Sequence, residues 1–113
     1  MLPRLIGLQR AAALMMLGDR VTGREAEAMG MIYKCYADEQ FEASSMALAK
    51  KLASMPTRAL WLTKKALNQS LVQGLDDQLI LEDQLQTEAG KTADYAEGVN
   101  AFLEKRPPVF KGE

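Results

Sequence analysis

The sequence predicts an all-α chain of five to seven helices with one short extended segment. Apolar residues recur at three- and four-residue steps through most of the 113 positions. Gly, Pro and capping Thr or Asp residues interrupt that pattern at intervals of a helix length. Only Met31–Tyr36, MIYKCY, is short, apolar and aromatic enough to run extended, and six residues of that kind suit either state.

Each element has its own signals. Pro3 suits the first turn of a helix, Gly7 interrupts it, and Leu8–Leu17 then forms a helix stopped by Gly18. Ala11, Ala12, Leu14, Met15, Met16 and Leu17 leave that second helix almost no polar face, so it needs covering on every side. Thr22 followed by Glu25 has the spacing of a capping box and opens a short helix ending at Gly30. Asp38 opens a helix running through Ser54.

Pro56 starts the next helix, with Leu60, Leu67 and Leu71 as its expected buried stripe and Trp61 one turn from Lys65. Gly74 separates it from Leu75–Ala89, whose leucines spread over more than one face, a pattern suited to packing on two sides. Asp94 and Glu97 stand at capping-box spacing before Val99, Phe102 and Leu103. Lys105 and Arg106 place positive charge at that helix's C-terminus, and Pro107 with Pro108 prevents continuation. No internal repeat or long linker divides the chain, so residues 1–113 read as one region.

Lys and Arg number 14 against 15 Asp and Glu, so no global field attracts nucleic acid or a membrane surface, and any anion site must be a local cluster. No apolar run reaches the roughly 20 residues of a membrane span. A single cysteine, Cys35, excludes an internal disulfide and fits a reducing compartment, and no leader is legible at Met1; the expected location is cytoplasmic. The absence of histidine removes every Ser/His or Cys/His couple and every imidazole base. Glu25, Asp94 and Glu97 are accounted for as caps, and Asp76, Asp77, Glu82 and Asp83 as a solvated face, so no residue is nominated as catalytic. The methionines, Met15, Met16 and Met46 among them, suit a core's gaps or an adaptable pocket.

DYAEGVNAFLEKRPPVFKG, from Asp94 to Gly112, together with LPRLIG at Leu2–Gly7 and ALMMLGDRVTGREAEAMGMIYKCY from Ala13 to Tyr36, resembles the C-terminal half of the crotonase, or enoyl-CoA hydratase/isomerase, family. The ending is similar to that of ring-modifying isomerases of phenylacetyl-CoA breakdown. The resemblance implies the helical C-terminal region of a crotonase-type α/β fold, with the oxyanion hole and acid/base carboxylates outside these residues. It further implies acyl-CoA as substrate, no tightly bound cofactor, and homo-oligomers built as trimers or dimers of trimers. Lys105 matches the lysine of the family's LEKR-like pattern, so Lys105, Arg106 and Phe102 are the candidate coenzyme A contacts. Simple complementing of the helix dipole, worth about 0.3–1 kcal/mol, is the other reading of Lys105 and Arg106. Some hydratases carry an aromatic near the Leu85–Gln86 position that packs on the adenine; Gln86 offers none, which leaves Leu85 or Phe102 as an apolar surface. A stand-alone, non-catalytic helical oligomerisation or binding module is the alternative function.

Overall fold

The computed structural model describes all residues, 1–113, and contains seven helices and no strand. They are α1 Leu2–Ile6, α2 Leu8–Leu17, α3 Gly23–Ala28, α4 Asp38–Ala53, α5 Thr57–Ser70, α6 Leu75–Ala89 and α7 Ala93–Leu103. No helix is long and apolar enough to cross a membrane. The chain divides into two compact units, residues 1–44 and 45–113, with the boundary falling inside α4.

In the first unit, α1 packs on α2 across Gly7, whose φ of 82° lies where a side chain would be strained. Gly18, at φ 72°, ends α2 in the left-handed region and donates its N–H to the Leu14 carbonyl. The capping box forms as expected. Thr22 Oγ1 accepts from the Glu25 N–H, and the Glu25 carboxylate takes both the Thr22 N–H at 2.8 Å and its hydroxyl at 2.6 Å. Those bonds from Thr22, side chain first, lower the Glu25 pKa.

Met31–Tyr36 joins no sheet, and part of its backbone bonds to α3 instead. The Met31 N–H meets the Ala26 carbonyl at 2.8 Å, and the Cys35 N–H meets the Glu27 carboxylate at 2.9 Å. Cys35 is only half-buried, and it lies so close to Gly23 that a Cβ there would come within 2.7 Å of its Sγ. Buried residues of this unit are Ile6, Ala11 and Ala26, whereas Leu8, Met15, Met16 and Leu17 are 71–84% exposed. Met46, in the second unit, is also exposed, so these methionines do not fill a core within the chain.

In the second unit α5 and α6 form an antiparallel pair. Arg58 near the start of α5 forms an ion pair with Glu88 near the end of α6, while the Gln78 amide in α6 reaches the Ala66 carbonyl in α5 at 3.3 Å. The buried stripe of α5 is not the expected one. Leu62 is buried at 2% exposure; of the expected residues Leu60 is half-buried, whereas Leu67 and Leu71 are 63% and 44% exposed. Helix rotation is set here by α6, whose Leu85 is also buried. Trp61 carries Lys65 Nζ at 5.6 Å from its ring centroid, as the one-turn spacing suggested, and Arg58 Cζ closer still at 4.7 Å.

The cap of α7 is also a correction. Thr92, not Asp94, is the N-cap: its hydroxyl accepts from the Tyr95 N–H at 3.1 Å and donates to the Ala89 carbonyl at 2.7 Å. That frees Asp94 and Glu97 to bind the segment that follows α7.

Candidate functional site: the turn after the last helix

α7 ends in a Schellman motif. With Glu104 as C-cap, the Lys105 N–H bonds to the Phe102 carbonyl at 3.2 Å and the Arg106 N–H to the Ala101 carbonyl at 3.0 Å. The residue that must turn left-handed is usually glycine. Here it is Lys105, at φ 55°, the one non-glycine residue of the chain with positive φ. A non-glycine residue held there costs about 1–3 kcal/mol, so neighbouring contacts must hold it.

They are supplied by Arg106. Its guanidinium grips the Glu97 carboxylate with both arms, at 2.6 and 2.9 Å, and its Nε donates to Glu104 at 2.6 Å. Glu97 also accepts the Val109 N–H at 2.8 Å, which pins the chain beyond Pro108. Arg106, followed by the Val109 N–H, pulls the Glu97 pKa down to about 2, and the two carboxylates raise that of Arg106 above its ordinary range.

The next fastening is Asp94, which is 3% exposed and accepts from the Lys111 and Gly112 N–H groups, each at 2.7 Å. Gly112 has φ 84° and would clash with Thr57 Oγ1 if it carried a Cβ. The tail thus folds back along α7 with the Phe110 ring against Gly98. Beneath it lies an apolar cavity of about 400 Å³ walled by Ala59, Tyr95, Val99, Phe102, Leu103 and Phe110 among others.

The three sequence-predicted site residues therefore share one turn but differ in availability. Phe102 is 82% exposed and lines the cavity wall. Lys105 is exposed and takes part in none of the ion pairs. Arg106 has its guanidinium donors turned toward Glu97, Glu104 and the Pro107 carbonyl. Leu85 is buried at 6% exposure, which leaves Phe102 as the apolar surface of this pair. A second cavity, of about 500 Å³, lies along α5 and α6 and is lined in part by Gln78, whose buried Oε1 has no hydrogen-bond partner.

A model of the enoyl-CoA hydratase/isomerase family matches residues 1–113, the whole chain. The chain belongs to the enoyl-CoA hydratase/isomerase family. It is 43% identical over 113 residues to the 1,2-epoxyphenylacetyl-CoA isomerase of Escherichia coli and 43% identical over 111 residues to a probable enoyl-CoA hydratase of Rhodobacter capsulatus. Those alignments take in 100% and 98% of this chain but 43% of either relative, so the chain spans less than half their length. A crystal structure of an enoyl-CoA hydratase from Geobacillus kaustophilus superposes with a TM-score of 0.94 at 32% identity, over 99% of this chain and 42% of that one. A putative enoyl-CoA hydratase from Streptomyces coelicolor superposes at 0.93 and 38% identity, over 99% and 41%. Either superposition takes in less than half of the solved chain.

Sequence reasoning placed Lys105 and Phe102 in view but missed Glu97 and Asp94 as tail ligands. The signal for Glu97 was Arg106 nine residues on, just past the helix end; for Asp94 there was none, because its partners are backbone N–H groups.

Proposed function

We propose that this chain is the coenzyme A-gripping and subunit-contacting region of an acyl-CoA hydratase or isomerase, with proton transfer carried out by groups outside these 113 residues. The observation that carries the reading is the exposed, unpaired Lys105 held beside exposed Phe102 in a family whose named members act on CoA thioesters. An ammonium placed in this way meets a phosphate as a point charge, and the phenyl face suits a purine. Similarity to the Escherichia coli ring isomerase supports an aromatic-derived acyl-CoA as the substrate class.

The carboxylates beside the cavity and turn support a non-catalytic role for this region. Asp94 binds two backbone N–H groups, and Glu97 binds Arg106 and Val109. The bare apolar face of α2, with Leu8, Met15, Met16 and Leu17, supports association with further protein surface, including other copies in a trimer or dimer of trimers.

The test is calorimetric binding of CoA and dephospho-CoA to the chain and to Lys105→Ala. Loss of one surface charge pair, about 1 kcal/mol, weakens CoA about fivefold and leaves dephospho-CoA unchanged. Equal loss for both ligands rejects the assignment of Lys105 to the 3′-phosphate, the one group that dephospho-CoA lacks.

A further inference from the structure

A lysine standing where the backbone asks for glycine invites the question of what holds it there. Both neighbours of Lys105 are tied down. Glu104 caps α7 and receives the Arg106 Nε at 2.6 Å; Arg106 is fixed by its own N–H to Ala101 and by two bonds to Glu97. Beyond the turn, Glu97 takes the Val109 N–H as well, so one carboxylate about two turns back in the helix anchors both the residue after Lys105 and the chain after Pro108. The direction of the Cα–Cβ bond of Lys105 follows from its φ of 55°, and the same bonds that hold this φ therefore aim the side chain.

The grip has a second effect. Glu104 is the sequence neighbour of Lys105 and an obvious competitor for its ammonium. Arg106 Nε holds one oxygen of that carboxylate, and the lysine takes part in no ion pair. We infer that Glu97 is a positioning residue for Lys105, acting through Arg106 to fix the left-handed turn and to keep Glu104 from capturing the ammonium, so that the charge is presented to the phosphate of a nucleotide-bearing ligand. The inference rests on the proposed role of Lys105 and adds a residue that touches no ligand itself.

The experiment is a double-mutant cycle on the full chain, comparing wild type, Glu97→Gln, Lys105→Ala and the double variant, with the ratio of dephospho-CoA to CoA dissociation constants as the readout. Glu97→Gln is expected to lower that ratio about threefold, and to have no further effect once Lys105 is alanine, because it works through the lysine. Arg106→Gln breaks the same grip from the other side and should give the same loss, which keeps the test intact if Glu97→Gln reduces helix content. Glu97→Asp keeps the charge but shortens the reach; wild-type behaviour there would mean that charge alone matters and would overturn the geometric account. A full ratio in both Glu97→Gln and Arg106→Gln, beside a lowered ratio in Lys105→Ala, rejects the positioning role and spares the role of Lys105. An unchanged ratio in Lys105→Ala removes both.

Discussion

Asp94→Ala should release the tail. The carboxylate is almost fully buried and receives two backbone N–H groups at 2.7 Å, seventeen and eighteen residues downstream. A hydrogen bond to a charged acceptor contributes about 1.5–3 kcal/mol. Two such bonds do not sum here, because the Lys111 and Gly112 N–H groups reach water once the tail lifts, so we expect a loss of about 2–3 kcal/mol rather than twice that. For a chain of this size the melting temperature then falls by roughly 10 °C. Urea denaturation followed by circular dichroism gives the stability change, and amide exchange at Lys111 and Gly112 shows where it arises. Asp94→Asn should lie between, since its amide keeps one acceptor and presents a donor to the other N–H. A stability change under about 0.5 kcal/mol, with both amides still protected, would refute the view that Asp94 fastens the tail.

Acid should leave the Glu97 lock closed over most of the accessible range. Its folded pKa lies near 2, below the ordinary 4.5, so the contribution of the lock to stability is complete above about 4.5, declines below that, and is gone once pH has fallen through about 2. A carbon-detected titration of the Glu97 carboxyl should have its midpoint near 2; one near 4.5 would mean the lock is open in solution. In the first unit, Gly23→Ala sets a methyl 2.7 Å from Cys35 Sγ and should cost about 1–3 kcal/mol. Adding Cys35→Ala should recover most of that in chemical denaturation, and strict additivity of the two changes would exclude the contact as the cause.

Helix limits were largely legible in the sequence because they are local events. Gly7, Gly18, Pro3 and the Thr22–Glu25 pair act within one turn of themselves, and each does in the structure what its chemistry dictates. Which face a helix buries was less legible, because α5 turns Leu62 inward in answer to α6, not in answer to its own leucine spacing. The turn bearing Lys105 was visible through charge and proline, but not its left-handed backbone, since lysine carries no mark of such a conformation. Asp94 and Glu97 misled for a related reason: at a helix start a carboxylate offers the same chemistry to a cap as to a returning tail. Thr92, two residues earlier, had already taken the cap.

Thr92 also ties two neighbouring helices into one fate. A single oxygen atom closes the last turn of α6 by donating to Ala89 and opens α7 by accepting from Tyr95. Fraying at either end therefore withdraws the corner from the other, and the two termini should exchange their amides at a common rate. Serine can keep that corner and valine cannot, although valine is the closer match in shape.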